Sequence, residues 1–346
     1  MPPVLDGKYT SGQKKGFLFR EKRRAPFLPV SLIILALIIL GFSLINPIQQ
    51  ITNINPQNIT VPPPTSTATP LPRPTDVHGG HIVFTCTRGS YNQICMINAD
   101  GTGFRQLTND TTNSYYPALS PEGDSVVYAS NRNGRFDLFM LTLATSQISQ
   151  LTYSIGNVVS PSFSPDGKQI VFVNHAGDSP SALWLTDRSG RNPHVLYAAP
   201  KDVVGAAWSP DGNIIAFAMS TAVRFAYQIF LLDVKNPNSA RQITQGRSDI
   251  GGSLAWSPDG KSLLIFAGPV DGRRIFRLDL ANGAFTPLTF DGNSASAYYS
   301  TDGQYIVYNS IRNSTDANLY IMRADGHSTR QLTRDSEPDW QPEWGW

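Results

Sequence analysis

The 346-residue chain has little charge, and charged side chains make up only 16% of it. Glycine and proline are plentiful instead, with 28 and 26 residues. Low charge combined with many glycines and prolines argues against a mainly helical fold and favours short strands joined by tight turns.

Histidine is also scarce. The sequence holds five histidines, which are His78, His81, His175, His194 and His327. A metal site needs three or four converging ligands, and the His78-Gly-Gly-His81 pair has no third or fourth ligand nearby. The other three fall near separate strands and turns. We therefore predict no metal site, no cofactor and no catalytic residues.

Most of the chain has no net positive charge, although the formal net charge of the whole sequence is +2. Residues 1–26 hold seven basic side chains against two acidic ones, so the remainder is slightly acidic. Nucleic-acid binding needs a basic surface, and the body of the chain offers none. We predict no nucleic-acid partner.

One long apolar run stands out, from Phe27 to Ile45, without a single charge. Nineteen residues are enough to cross the hydrocarbon core of a bilayer as a helix. A signal peptide is the alternative, but its apolar region is shorter and a small-residue cleavage site follows it. Here Asn46-Pro47-Ile48 follows, which favours an uncleaved anchor over 27–46.

The charges around this run set its predicted orientation. The basic cluster precedes the run, and no basic residue follows it until Arg73. By the positive-inside rule, residues 1–26 form a cytoplasmic tail and the rest lies outside a single-pass cell-membrane protein. Residues 47–78 are rich in proline and threonine and short of apolar side chains, which predicts an extended linker. Residues 79–346 remain for a folded, extracytoplasmic domain.

A pattern of about 45 residues recurs six times in that domain, and its clearest mark is a Ser-Pro-Asp-Gly turn. The turn glycines are Gly123, Gly167, Gly212, Gly260 and Gly303, spaced 44, 45, 48 and 43 residues apart, and the last copy ends near Trp344. Each copy contains four short apolar runs, which we letter A to D, with the turn between A and B. Four-stranded repeats of this length are typical of a β-propeller.

The order of the runs predicts how the propeller closes. The domain begins with a B run at His81 and ends with an A run at residues 340–346. We expect the two to share one composite blade, which closes an all-β, six-bladed ring. D runs are expected to end in Leu-Thr, as at Leu107-Thr108 and Leu151-Thr152.

These residues resemble the TolB-type propeller repeat, also described as WD-repeat-like. The resemblance rests on the turns, on Ser130-Asn131-Arg132-Asn133-Gly134 and Ser310-Ile311-Arg312, and on Asp325-Gly326, and it extends over about 81–346. It implies a propeller related to a periplasmic partner of a lipoprotein, with a membrane anchor in place of the extra α/β domain of TolB. The repeats also resemble the propeller of prolyl-oligopeptidase-type peptidases, whose hydrolase motif Gly-x-Ser-x-Gly is absent from this sequence.

Several repeated side chains have a structural interpretation. We predict that Asp166, Asp211, Asp259 and Asp302 bond backbone N–H groups in their turns rather than forming a carboxylate array. Trp208, Trp256 and Trp344 occupy matching positions and are expected to pack between blades, with ligand stacking as the alternative. Cys86 and Cys95 flank a predicted hairpin and are candidates for a disulfide, the alternative being two half-buried thiols.

The connections between D and A and between B and C vary in length and composition, and they lie on one face of the predicted ring. Variable loops on a rigid scaffold are where binding usually resides, and aromatic residues and arginine are favoured at interface centres. The candidate contacts are Tyr115, Tyr116, Arg132, Tyr153, Arg224, Tyr227 and Arg312. We predict a non-catalytic module for a protein, peptide or glycan ligand; the alternative is a hydrolase or lyase with its site in the central channel.

Overall fold

The computed structural model describes residues 79–177, 180–221, 227–245, 250–269, 272–290, 293–312 and 316–345. The chain divides into two compact units, 1–59 and 60–346, and every described residue belongs to the second. The predicted tail, membrane span and linker all lie outside these residues. In the ranges just given, no helix has the length and apolar character needed to cross a membrane.

The described residues form twenty-four strands, numbered β1 to β24 along the chain and assigned to the letters A to D by their place in the repeat. The A strands are β4 (Ser114–Leu119), β8 (Asn157–Phe163), β12 (Val203–Trp208), β16 (Ile250–Trp256), β20 (Ser294–Tyr299) and β24 (Asp339–Gly345). The B strands are β1 (His81–Arg88), β5 (Ser125–Ser130), β9 (Gln169–His175), β13 (Ile214–Ser220), β17 (Ser262–Ala267) and β21 (Tyr305–Ser310). The C strands are β2 (Tyr91–Asn98), β6 (Asp137–Thr142), β10 (Ala182–Asp187), β14 (Tyr227–Asp233), β18 (Arg274–Asp279) and β22 (Asn318–Arg323). The D strands are β3 (Arg105–Gln106), β7 (Gln147–Gln150), β11 (His194–Tyr197), β15 (Asn236–Gln242), β19 (Phe285–Pro287) and β23 (Arg330–Gln331).

These strands form antiparallel, four-stranded sets in the order A, B, C, D. Four sets are separate sheets. The other two are joined by one residue pair, Tyr227 with Ile250, which connects β14 to β16. The last strand of the chain pairs with the first, so that His81 lies opposite Gly345 and Cys86 opposite Asp339.

The A strands also contact one another from set to set. β4 contacts β8, β8 contacts β12, β12 contacts β16, β16 contacts β20, β20 contacts β24 and β24 contacts β4. The B strands carry the most continuous apolar runs, and most of their side chains are fully buried. The cores therefore lie between neighbouring sheets, as expected for strands that are covered on both faces.

The serine and aspartate of the repeated turn bond each other and the backbone. In four copies the serine hydroxyl donates to the aspartate, as from Ser164 Oγ to Asp166 Oδ1 at 2.7 Å, and the aspartate accepts the N–H two residues later. The serine hydroxyl also accepts the N–H that opens the B strand, as from Gln169 at 2.9 Å. The prediction that these aspartates are turn residues is confirmed.

The Leu-Thr pairs follow the D strands instead of ending them, which corrects the predicted boundary. β3 ends at Gln106 and β7 at Gln150, one residue before each pair. In five sets the threonine hydroxyl accepts an N–H from the C strand at 2.9 to 3.0 Å; the threonines are Thr108, Thr152, Thr244, Thr289 and Thr333. A side chain thus replaces one backbone bond of the ladder where the chain leaves the sheet, which explains why the strand is short.

The A strands are longer than the sequence indicated, because most of them contain an irregularity. Five have a residue in the left-handed region, at Tyr116, Ser160, Gly205, Ser296 and Gln341, and the register with the B strand shifts there. In three of these strands the next residue is proline, at Pro117, Pro161 and Pro342. Proline has no N–H for a ladder and is tolerated at a bulge, so these strands lack the alternation of a regular strand.

The repeated tryptophans pack between sheets, as predicted. Trp208 lies in a cluster that joins Val171 of β9 to Phe217 of β13, and Trp344 joins Phe84 of β1 to Val307 of β21. Trp256 is partly buried and donates its Nε1 proton to the carbonyl of Ala207 in the preceding set, at 3.0 Å.

Cys86 and Cys95 form a disulfide across the β1–β2 hairpin, with their Cα atoms 5.9 Å apart. Both are fully buried, and they lie diagonally, since Cys86 pairs with Gln93 and Cys95 with Phe84. Closing so short a loop restricts the unfolded chain.

Replacing Cys86 and Cys95 together by alanine should lower the free energy of unfolding by about 2–3 kcal/mol, because the unfolded chain regains the entropy of the open loop. Denaturant unfolding of the two proteins measures this difference. Mass analysis of the wild type before and after reduction and alkylation is the control for the bond itself. Equal denaturation midpoints for the wild type and the double variant, with the wild-type disulfide intact, would contradict the expectation.

Candidate functional site

Exposed apolar side chains concentrate on the face formed by the B–C and D–A connections. Seven large apolar side chains are exposed in the described ranges; on this face lie Tyr91, Tyr153, Phe290, Ile311 and Trp340. The other two, Ile148 and Val195, lie on D strands. None lies in an A–B or C–D turn. A one-sided distribution of exposed aromatic residues is a feature of interaction surfaces.

Tyr153 and Phe290 project furthest into solvent. They follow the Leu-Thr pairs of two different sets, and their relative exposures are 70% and 67%. The Tyr153 hydroxyl donates to the carbonyl of Gln150 at 3.2 Å, which orients the ring. Tyr153 was predicted as a contact residue from its loop, whereas Phe290 was not singled out.

Tyr91 and Trp340 flank a second part of this face, at the sheet shared by the two ends of the domain. Trp340 Nε1 donates to Asn92 Oδ1 at 3.4 Å, and Asn92 Nδ2 donates to the Tyr115 hydroxyl at 2.9 Å. Tyr115 is half-buried, and burial raises the pKa of its hydroxyl. Asn92 therefore links two of these aromatic side chains in fixed positions.

The Arg132 side chain makes its contacts mainly within its own blade. It donates from Nη2 to Asp110 and to the Tyr128 hydroxyl, at 2.9 Å each, and its guanidinium carbon lies 4.5 Å from the centre of the Phe139 ring. Arg312 lies over Tyr320 in the same way, at 5.7 Å. The arginine of the Ser-x-Arg sequence thus makes a cation–π contact within its blade in both places.

Replacing Arg132 by alanine should lower the free energy of unfolding by about 1–2 kcal/mol, since an ion pair and a cation–π contact are lost together. Arg135, three residues away in the same connection, is exposed. Its replacement by alanine is the matched control and should change stability by less than about 0.5 kcal/mol. Thermal and denaturant unfolding of the two variants measure both values, and equal losses would show that Arg132 is an ordinary surface residue.

The remaining predicted contacts are less accessible. Tyr116 lies at the irregularity of β4, and its N–H donates to Gln341 Oε1 at 3.1 Å. Tyr227 is half-buried at the start of β14, where its backbone joins two sets of strands. Arg224 lies outside the described residues.

A second group of polar residues lies deep along the A strands, and the sequence analysis missed it. Glu343 on β24 is surrounded by protein but keeps a partly accessible surface, and so do Tyr116 on β4 and Tyr298 on β20. The strands that carry these three residues are in contact, since β24 contacts both β4 and β20. Glu343 Oε1 accepts the N–H of Leu119 at 3.1 Å.

Desolvation is the largest influence on the pKa values of Glu343 and Tyr298. It raises the pKa of Glu343 to about 8, although the bond from Leu119 N–H acts in the opposite direction. Burial also raises the pKa of Tyr298 well above 10, and the neighbouring Glu343 charge raises it further. Burial therefore favours the neutral form of the Glu343 carboxyl near neutral pH.

A network of charged side chains lies near Trp340. Arg88 Nη2 lies 2.8 Å from Asp335 Oδ2, and Arg88 Nη1 lies 3.6 Å from the fully buried Asp339. Burial raises the pKa of Asp339 well above its usual range, Asp335 raises it further, and Thr333 and Arg88 act against this. Burial and Asp335 thus outweigh the opposing effect of Arg88 on this carboxyl.

The histidines do not converge. His81 bonds Asn98 at 3.0 Å, His175 ends β9 and His194 begins β11. In the part of the chain that the structure describes, no three His, Cys, Asp or Glu side chains come together as a possible metal site.

The chain resembles known proteins in sequence and in fold. Two overlapping stretches, residues 64–199 and 156–345, match the model of the TolB beta propeller domain. The Tol-Pal system protein TolB of Anaeromyxobacter dehalogenans is 31% identical over 122 residues, which covers 35% of this chain. That match spans only 27% of the relative's own length.

Two solved structures have a fold similar to that of this chain. The crystal structure of TolB from Acinetobacter baumannii has a TM-score of 0.68 and 23% identity, covering 77% of this chain and 66% of that one. An oligogalacturonate lyase in complex with manganese has a TM-score of 0.53 and 17% identity, covering 74% of each chain. At these identities the likeness shows the fold alone.

Proposed function

The chain belongs to the TolB beta propeller domain family, and on that premise we propose that it is a membrane-anchored, extracytoplasmic module that binds another protein. The family relationship supports a binding role, since the relative above is named as a component of a Tol-Pal system. The arrangement of exposed aromatic residues is the observation that carries the proposal for this chain.

The proposed scaffold is a six-bladed ring with a central channel. Six four-stranded sets, the pairing of β24 with β1, and the set-to-set contacts of the A strands from β4 round to β24 all support it. A closed ring leaves no open sheet edge between the first and last blades.

The proposed binding face is the one formed by the B–C and D–A connections. Tyr91, Tyr153, Phe290, Ile311 and Trp340 lie there, in four different blades, and none of the described A–B or C–D turns presents a comparable side chain. Rigid aromatic residues provide large contact areas at little cost in conformational entropy. The chain enters β1 at His81, on the face opposite these side chains.

The proposed location outside the membrane has two supports. The apolar run from Phe27 to Ile45 follows a basic segment, which favours a cytoplasmic N-terminus. The Cys86–Cys95 disulfide is typical of proteins that fold in an oxidising compartment.

Site-specific cross-linking tests the proposed face. A photoreactive amino acid replaces Trp340 in one full-length variant and Lys261 in another; Lys261 is exposed beside a Ser-Pro-Asp-Gly turn on the opposite face. We expect cross-links to one discrete protein partner in intact cells from position 340 and none from position 261. Equal cross-linking from both positions, or none from either, would overturn the proposal.

An enzyme is the second candidate, and Glu343 favours it. A carboxyl group with a pKa near 8, beside a tyrosine hydroxyl in a channel, has the properties of a general acid or base. The lyase with a similar fold suggests a first substrate class, the oligogalacturonates. Formation of unsaturated product by the full chain, lost in Glu343→Gln, would establish this function; no product with manganese present would exclude this substrate class.

A further inference from the structure

The six A strands carry very little charge. All of them are described in full, and together they contain two acidic residues, Asp339 and Glu343, and no lysine, arginine or histidine. Asp339 pairs with Arg88 at 3.6 Å. Glu343 is thus the one acidic group on these strands without a basic partner in the described structure.

Glu343 also departs from the pattern of the repeat. Its equivalents, two residues before the turn serine, are small in four blades: Ala118, Ser162, Ala207 and Ala255. In the fifth the equivalent is Tyr298, the neighbour of Glu343. Small residues fill this position where blades merely pack, so a carboxyl and a phenol here create a polar spot in an otherwise apolar wall.

We propose that Glu343, with Tyr298 beside it, binds a primary ammonium group that enters the channel, from a lysine side chain or from the N-terminus of a peptide. The proposal rests on the closed ring described under the proposed function, but it does not depend on the aromatic face. It gives the proposed channel a ligand class that is separate from any ligand of the aromatic face.

The geometry favours an ammonium group over other cations. One carboxylate oxygen, Oε1, already accepts the N–H of Leu119 at 3.1 Å, which leaves Oε2 as the oxygen without a protein donor; a single accepting oxygen suits a compact ammonium better than a two-pronged guanidinium. A divalent metal needs several oxygen or nitrogen ligands, and Glu343 is the one carboxylate here. An ammonium group is compact and needs only acceptors, which the free carboxylate oxygen and the tyrosine hydroxyl provide.

Binding requires the carboxyl to ionise. Burial keeps Glu343 protonated near neutral pH because it raises the pKa to about 8. An incoming ammonium ion therefore displaces the carboxyl proton to the solvent and forms an ion pair with the carboxylate. The neighbouring A strands bring Tyr298 from β20 and Tyr115 and Tyr116 from β4. β1, which pairs with β24, carries His81 opposite Gly345 and Arg88, whose guanidinium faces Asp335 and Asp339. The influences on the pKa of Glu343 are burial and the Leu119 N–H, and neither is a basic side chain.

Ligand-observed NMR on the full chain in detergent micelles tests this directly. Three probes are compared: N-acetyl-lysine-N-methylamide carries only a side-chain amine, alanyl-alanine-N-methylamide carries only an N-terminal amine, and N-acetyl-norleucine-N-methylamide is the neutral analogue of the first. Glu343→Gln is the test variant, because its amide oxygen still accepts the Leu119 N–H while the charge is removed. Glu337→Gln is the matched control, since Glu337 also accepts a backbone N–H, from Gly89 at 2.8 Å, but is solvent-exposed.

We expect at least one amine probe to bind with a Kd of about 1 mM, to bind at least about tenfold more weakly to Glu343→Gln, and to bind unchanged to Glu337→Gln. Whichever amine binds identifies the source of the ammonium group. Equal binding of the norleucine analogue, equal effects of the two variants, or no saturable binding would overturn the proposal. Cross-linking at position 340 is unaffected by these outcomes, so failure of the channel site and failure of the binding face are distinguishable.

Discussion

Replacing Trp344 by alanine should lower the free energy of unfolding by about 3–5 kcal/mol, the range found for removing a fully buried aromatic side chain. Trp344 is 3% exposed and lies in the cluster between β1 and β21, with its ring 6.5 Å from that of Tyr305. Its indole Nε1 has no hydrogen-bond partner among the described residues, so packing accounts for the stabilisation. Alanine would leave a cavity where the first and last segments of the domain meet.

Trp340→Ala is the matched control, because Trp340 lies on the same strand but is 37% exposed. Its replacement should cost less than about 1 kcal/mol, as is usual for surface substitutions. Denaturant unfolding of both variants measures the two values. Similar losses for Trp344 and Trp340 would contradict the stabilising role of Trp344 packing between β1 and β21.

The repeat made most of this fold predictable from the sequence. The Ser-Pro-Asp-Gly turns fix where A ends and B begins, because proline sets one backbone angle and glycine supplies another that other residues avoid. Gly167 and Gly212, for example, have φ near +70°. The B strands were equally clear, since strands buried on both faces are continuously apolar.

The A strands were only partly predictable. Several of them contain a proline inside the strand, as at Pro161 and Pro342, and the register shift removes the alternation that marks a strand. Contacts with the neighbouring blades hold these segments in place, and such contacts are not visible in a local sequence window.

The candidate site was harder to predict than the fold. Arg132 was identified because arginine is common at interfaces, yet in the structure its guanidinium is bound by Asp110, Tyr128 and Phe139. Glu343 was overlooked because one glutamate in an aromatic segment gives no signal by itself. Alignment with the alanines at equivalent positions, such as Ala207 and Ala255, was the available clue.

Wild-type protein should become less stable as the pH rises from about 5 to about 8, and Glu343 should account for much of the change. In the folded state the pKa of Glu343 is about 8, against an ordinary value of 4.5. Between these values the folded state holds one more proton than the unfolded state, so raising the pH favours unfolding by about 1.4 kcal/mol per unit. The stabilisation is complete below pH 4.5 and is lost as the pH passes through 8.

Glu343→Gln isolates this effect, because glutamine does not titrate and still accepts the Leu119 N–H. The wild type and the variant should have similar free energies of unfolding at pH 5, and the variant should be more stable at pH 8 by up to about 4 kcal/mol, less where solvent reaches the carboxyl. Asp339, whose pKa is also raised, is present in both proteins, so its contribution cancels in the difference. Parallel pH profiles for the two proteins would mean that the pKa of Glu343 is not raised in the folded state and that the carboxyl is solvated there. A gap that widens between pH 5 and pH 8 would instead show that burial holds the Glu343 carboxyl in its neutral form in the folded protein.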